Sequence, residues 1–233
     1  MLLSIIIPTL NEEKNLKKLL QSLKKQKFKD YEIIISDNNS KDKTKSIAKK
    51  FKCRIVKGGL PAKARNNGAK LAKGDYLLFL DADVILPDNF LSKIISEFEE
   101  KYFEIASPYI KPLTNKLFIK FYHHIYNIWM YSMQKIDPYA PGFCILIKKS
   151  AFKQIKGFDE TIKLAEDHAL ARKAFRNKIR YGILKSSKVL VSIRRFETEG
   201  TLRLLMIYLS AMLYRIFISE IRTNIFKYEF KHK

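Results

Sequence analysis

Tyr76-Leu77-Leu78-Phe79-Leu80-Asp81-Ala82-Asp83 sets an unbroken apolar run directly against two acidic residues. A short continuous apolar run closed by polar residues reads as a buried strand. Alternation along that strand aims Asp81 and Asp83 the same way at its carboxyl end, where open α/β sheets bind their ligands. Two hard oxygen donors there suit Mg²⁺ or Mn²⁺, ions that keep further positions for water and phosphate oxygens. The competing reading is a polar turn, in which acidic pairs are common.

On the amino-terminal side of this run the chain alternates short β-branched stretches with longer amphipathic ones. The pattern predicts strands over 3–7, 31–36, 53–57 and 75–80, and helices over 12–26, 43–51 and 61–73, with another helix after Pro87. Turns such as Asp37-Asn38-Asn39-Ser40 and Gly58-Gly59-Leu60-Pro61 separate them. Such βαβ units predict a Rossmann-like half over 1–110 on a mostly parallel sheet. Gly-x-Gly-x-x-Gly is absent after the first strand, which argues against a dinucleotide enzyme.

On the carboxyl-terminal side a second half is expected over 111–199. After Pro112, Phe118, Tyr122, Ile125, Trp129 and Met133 share one helical face and Lys120, His123, His124 and Asn127 the other. The aromatic stripe fits core packing or a seat at a membrane interface. A strand is expected over Phe143-Cys144-Ile145-Leu146-Ile147, and a helix after Glu166. In the last stretch, 200–233, Leu204 to Tyr214 is apolar on every side between Arg203 and Arg215. Eleven uncharged positions fall short of the ~20 that a membrane span needs, so this segment is either buried in protein or dips into one leaflet.

At 233 residues, 47% of them hydrophobic, the chain can fill one sizeable core and carry a small appended element. A net charge of +22 attracts polyanions, whether nucleic acid, anionic lipid or a phosphorylated substrate. Pairs such as Lys17-Lys18, Lys24-Lys25 and Lys49-Lys50 also fit solvated helix faces. No recognised nucleic-acid motif accompanies them. Cys53 and Cys144 lie far apart in apolar runs, which disfavours a disulfide scaffold or zinc site. The amino terminus lacks a basic leader and meets Pro8 early, so it reads as a first strand, and a reducing cytoplasmic location is expected.

Further polar stations stand at the ends of the predicted elements. Asp37 closes the second strand, where it can accept an N–H from a nucleobase or simply hold an Asx turn. In Ala64-Arg65-Asn66-Asn67-Gly68, Arg65 can meet phosphate or base and Asn66 a ribose or sugar. Gly157-Phe158-Asp159-Glu160 precedes Ala165-Glu166-Asp167-His168, where a carboxylate can deprotonate an acceptor hydroxyl or merely favour a helix amino terminus. Arg194-Arg195 can neutralise a diphosphate or face water.

Together and in this order, these stations resemble family 2 glycosyltransferases, with Ile5-Ile6-Ile7-Pro8-Thr9-Leu10-Asn11-Glu12-Glu13 as the opening signature and Leu80-Asp81-Ala82-Asp83 as the metal motif. The resemblance covers roughly residues 3 to 196. It implies a GT-A fold, in which a Rossmann-like nucleotide-binding half is fused to an acceptor-binding half. It further implies that Pro8, Glu12, Asp37, Arg65 and Asp81 line the nucleotide site, with Thr9, Asn66 and Ala82 beside them. Asp83 would hold the divalent cation, Asp167 would be the catalytic base with Glu166 next to it, and Arg194 and Arg195 would face the diphosphate. Gly142, Phe143 and Trp129 are expected toward the acceptor. The implied reaction is an inverting transfer from a nucleotide-diphosphate sugar. Ser36 stands where many members carry another aspartate, which leaves the base open: a UDP-sugar is the first expectation and a GDP-sugar the second. A polyprenyl-phosphate sugar synthase is the near alternative, although an already ionised phosphate acceptor needs no base. A basic nucleic-acid-binding protein is the alternative from another class, and a sugar nucleotidyltransferase would need a Gly-rich opening loop that is missing. The acceptor is expected to be a glycan or lipid-linked glycan at the cytoplasmic membrane face, with peripheral membrane contact.

Overall fold

A computed structural model describes residues 2–226, so the end of the 200–233 extension lies outside the described residues. The amino-terminal half runs β1 (Leu3–Thr9), α1 (Glu13–Lys24), β2 (Tyr31–Asp37), α2 (Thr44–Lys50), β3 (Arg54–Lys57), α3 (Pro61–Leu71) and β4 (Tyr76–Leu80). It continues through β5 (Val84–Ile85), α4 (Phe90–Glu100) and β6 (Ile105–Pro112). The remainder comprises α5 (Leu117–Met133), β7 (Cys144–Lys148), α6 (Lys149–Gln154), α7 (Glu166–Arg176), β8 (Tyr181–Val191), α8 (Arg194–Thr198) and α9 (Thr201–Phe217).

Among the described residues one mixed sheet carries all eight strands in the order β3-β2-β1-β4-β7-β6-β8-β5. β3, β2, β1 and β4 are mutually parallel, as the βαβ reading predicts, and β7 enters antiparallel to β4. The sheet shows no seam at 110/111, because β6 runs across that position and pairs with both β7 and β8. Side chains alternate between two cores. Ile5, Ile7, Leu78 and Leu80 face α1 and α4, whereas Ile6, Leu77 and Phe79 face α3, α6 and α7. α1 fits its side because Leu16, Leu19, Leu20 and Leu23 fall on one stripe. α3 lies so close to the sheet that a Cβ at Gly68 would come within 2.4 Å of Ile6. Connections leave β1 toward β2 on one side and reach β4 on the other, so the carboxyl ends of β1 and β4 flank a topological switch point, the usual place for a ligand crevice.

Two expectations change. Residues 81–83 follow β4 as expected, but the chain turns there instead of continuing the strand's alternation, so Asp81 and Asp83 go to different partners. α5 also presents a different face to the core. Its buried line is Ile119, His123, Asn127 and Met130, while Phe118 and Ile125 are exposed. Asn127 is inside because its amide pairs with the β6 backbone, accepting from Ile110 N–H (3.0 Å) and donating to Ile110 C=O (2.8 Å). His123 Nδ1 lies 2.7 Å from the Ile119 carbonyl. Polar groups satisfied in this way can be buried cheaply, and the aromatic stripe is left at the margin.

Candidate active site

The polar stations converge beyond the carboxyl ends of β1, β2 and β4, but in two clusters. Arg65 is the centre of the first. It is nearly fully buried, donating to Glu166 Oε1 (2.6 Å) and Asp81 Oδ1 (2.8 Å) with its guanidinium 5.5 Å from the Phe158 ring centre. Glu166 and Asp167 open α7, which Ala165 enters in the left-handed region (φ 64°), a conformation that costs a non-glycine residue about 1 kcal/mol. That turn sets Asp167 beside the loop before β7, where Gly142 N–H donates to Asp167 Oδ2 (2.5 Å). His168 N–H donates to the other oxygen (2.8 Å).

Burial alone would raise the Asp167 carboxyl, but His168, Arg65 and the two backbone donors outweigh it and hold it below the ordinary carboxylate range. Glu166 moves the other way, because burial raises it more than Arg65 lowers it. Burial likewise raises Asp81 against the pull of Arg65. Asp167 is therefore the one carboxyl of the three held below its ordinary range, and the only one that does not bond to Arg65.

Asp83 belongs to the second cluster. Arg194, at the start of α8, donates to the buried Glu12 carboxylate (2.6 Å) and stands 3.8 Å from Asp83. Asn15 donates to the second Glu12 oxygen (2.7 Å). A cavity of about 280 Å³ opens here, with Lys18, Asp83, Ser192 and Arg194 in its wall. Arg195 lies alongside on α8, 3.9 Å from Glu199.

The remaining expected residues take these places. Pro8 and Thr9 end β1, and Thr9 Oγ1–H donates to Asp37 Oδ1 (3.1 Å). Asp37 also accepts from Ser40 N–H (3.0 Å), so it does hold an Asx turn. Asn66 spends its amide on the loop before α7, donating to Phe158 C=O and Glu160 and accepting from Phe158 N–H. Ala82 is buried in the turn. Gly142 and Phe143 turn out to support carboxylates: Gly142 holds Asp167, and Phe143 C=O accepts from Asp81 N–H (3.3 Å). Trp129 packs edge-on to Tyr139 at 4.2 Å, and Tyr139 in turn lies 4.7 Å from His168.

Among the described residues no three His, Cys, Asp or Glu side chains gather as a ready-made metal cage. The donor set suits Mg²⁺ or Mn²⁺ only in the manner of phosphate sites, where one or two carboxylates hold the ion and the substrate supplies further oxygens.

The profile of Glycosyl transferase family 2 matches residues 4–156, more than half of the chain. The chain belongs to glycosyltransferase family 2. Similar members include the GalNAc(5)-diNAcBac-PP-undecaprenol beta-1,3-glucosyltransferase of Campylobacter jejuni, 39% identical over 43% of this chain and 35% of that protein. The minor teichoic acid biosynthesis protein GgaB of Bacillus subtilis is 29% identical over 82% of this chain and 23% of its own. The chain thus spans between about a quarter and a third of these curated relatives. Among solved structures, Staphylococcus aureus TarS 1–349 in complex with UDP-GlcNAc superposes with a TM-score of 0.70 at 22% identity, over 92% of this chain and 67% of that one. The mannosyltransferase PcManGT of Pyrobaculum calidifontis, in complex with GDP-Man and Mn²⁺, reaches 0.74 at 18% identity, over 91% and 61%. The fold is GT-A.

Sequence spacing set Gly142 toward the acceptor and gave no sign that its N–H holds Asp167. A Cβ at this position would lie 2.8 Å from both Arg65 Nη2 and Asp167 Oδ2. Gly142→Ala is expected to push both Arg65 and Asp167 out of place and to lower transfer by up to about a hundredfold in an assay of the folded variant, as ångström displacements in an active site do.

Proposed function

We propose that this family 2 chain transfers a sugar, with inversion, from a nucleotide-diphosphate sugar to a hydroxyl of a glycan or lipid-linked glycan. The observation that carries the reading is the separation of the two clusters. Asp167 is ionised, held by two backbone donors and only partly buried, while Asp83 and Arg194 stand apart beside the cavity. A base and an anion-binding station are the two functions such a transfer needs.

In this scheme Pro8, Thr9, Glu12, Asp37, Arg65, Asp81 and Ala82 line the nucleotide sugar, with a UDP-sugar first and a GDP-sugar second. Arg194 and Arg195 meet the diphosphate. Asp83 holds Mg²⁺ or Mn²⁺, which when bound supplies positive charge next to the departing diphosphate. Asp167 takes the proton of the acceptor hydroxyl, and Glu166 fixes Arg65 without touching the acceptor. Trp129 and Phe143 border the acceptor side. A polyprenyl-phosphate sugar synthase fits less well, because an ionised phosphate acceptor leaves Asp167 without a task. UDP-GlcNAc and GDP-Man in the TarS and PcManGT complexes support a nucleotide-sugar donor, and the undecaprenol-linked substrate named for the Campylobacter relative supports a lipid-linked acceptor. Such a donor and acceptor meet at the cytoplasmic face of a membrane, where the protein would sit peripherally. Among the described residues no helix is long and apolar enough to cross one.

Melting the protein with UDP- and GDP-sugars, with and without Mn²⁺, tests this. A ligand at about a hundred times its Kd stabilises the native state by about 2.7 kcal/mol. The expected result is a rise with one nucleotide sugar that depends on Mn²⁺ and vanishes in Asp83→Asn. No rise with any nucleotide sugar would defeat the proposal.

A further inference from the structure

A second cavity, of about 630 Å³, lies away from the donor side, where α9 and the segment after it meet α7. Four arginines line it, Arg172, Arg176, Arg215 and Arg222, against two carboxylates, Asp137 and Glu220. Arg172 bonds Asp137 through Nε and Nη2 and reaches Glu220 (3.1 Å), which Arg215 also engages (2.8 Å). Arg222 pairs outside the cavity with Asp159 (2.9 Å). Cationic capacity remains. Arg176 is exposed with no ion pair among the described residues, and Arg215, only 4% exposed, keeps Nη1 buried with no hydrogen-bond partner. An unsatisfied buried donor on a charged group is costly, and such donors usually mark an absent water or ion.

The rim has the opposite chemistry. Ile136 and Ile218 are 69% and 67% exposed, and the cavity opens onto the outward stripe of α9. That stripe comprises Leu202, Met206, Leu209, Leu213, Ile216 and Phe217, all exposed, spaced by three and four residues along the whole helix. α5 adds Phe118, Phe121, Ile125 and Ile128, and meets α9 through Ile119 and Tyr122 against Leu204 and Tyr208. Neither helix contains an acidic residue. Apolar surface on this scale marks an interaction site. Its basic charge and the arginine basin at its end select an anionic partner with an apolar body.

We propose that this basin binds the phosphate group of a lipid, whose chains lie along the apolar stripe of α9. This rests on the peripheral membrane seat proposed above and names its ligand. It also brings that ligand near the candidate base: Arg172 follows Asp167 by five residues on α7, an axial rise of about 7.5 Å.

Co-sedimentation with vesicles of phosphatidylcholine alone, or doped with phosphatidic acid, tests the site. The wild-type protein should bind the doped vesicles at least about tenfold more tightly. Arg176→Glu should remove most of that preference. Lys50→Glu, the same charge change on exposed α2, should keep it. Leu213→Ser should weaken binding to both vesicles. Equal loss in Arg176→Glu and Lys50→Glu would reduce the effect to diffuse charge and overturn the site while leaving the seat intact. No binding to either vesicle would overturn the seat and the site together. Inorganic phosphate that displaces the protein as well as doped lipid does, at matched ionic strength, would assign the basin to free phosphate and overturn the lipid ligand. Donor-dependent melting, read in parallel, reports on donor binding independently and confirms that each variant is folded.

Discussion

Asp167→Asn is expected to bind nucleotide sugar as the wild type does and to transfer it about a thousandfold more slowly. The amide keeps the size of the carboxylate, and its oxygen can still accept from Gly142 N–H (2.5 Å in the parent) or His168 N–H (2.8 Å), but not from both. What it loses is the capacity to take a proton, which general-base catalysis values at about 10² to 10⁴ in rate. The carboxyl is held low by neighbouring charge and backbone donors, so the parent is ionised throughout the neutral range and its rate should not fall until the solution is distinctly acidic. Single-turnover transfer, with donor affinity measured separately, checks both halves. Unchanged transfer in this variant would remove Asp167 from the mechanism.

Arg65→Met should produce the largest loss of stability. Arg65 is 3% exposed and ties Glu166 on α7, 101 residues further along the chain, to Asp81 beyond β4 through one guanidinium. Removing one member of a buried ion network leaves the others uncompensated, at about 3 to 5 kcal/mol. The pH dependence has a definite sign. Glu166 is raised by burial even in the parent, and without Arg65 it is raised further. A carboxyl whose folded pKa exceeds its unfolded value loses stability as pH climbs from the unfolded value through the folded one. Arg65→Met should therefore be closer to the parent at pH 5 than at pH 7 in denaturant unfolding. A variant equally stable at both would show that Glu166 carries no such burden.

Much of the fold was legible because the sheet announces itself locally. Ile5-Ile6-Ile7 and Leu77 to Leu80 are apolar on both faces, and each is followed by a turn and an amphipathic helix. Where a residue's neighbours lie far away in sequence, legibility ends. Nothing in Arg65-Asn66 tells that one side chain reaches α7 and the other clamps Phe158. Asp81 and Asp83 look like a single pair because their spacing is two. A strand that stops at Leu80 sends them to different partners, Arg65 and Arg194. α5 misled for a further reason: hydrophobicity ranks Asn127 as outward, whereas a bare backbone point on β6 at Ile110 draws it in. The arginine basin left no signal, since Arg172 sits on α7 while Asp137 and Glu220 lie in loops far away in sequence.

The last described stretch also bears on how the molecule comes into being. Leu164 bridges Ile221, Lys163 N–H donates to Ile221 C=O, and Arg222 bonds Asp159 and Thr161, so the loop leading into α7 is fastened by chain made nearly sixty residues later. At a ribosomal pace of about 5 to 20 residues per second, that interval is several seconds. Throughout it the approach to Asp167 stays unfastened, while β8 completes the sheet as residues 181–191 emerge. The order of synthesis thus leaves the surroundings of Asp167 among the last parts of the described fold to be fixed.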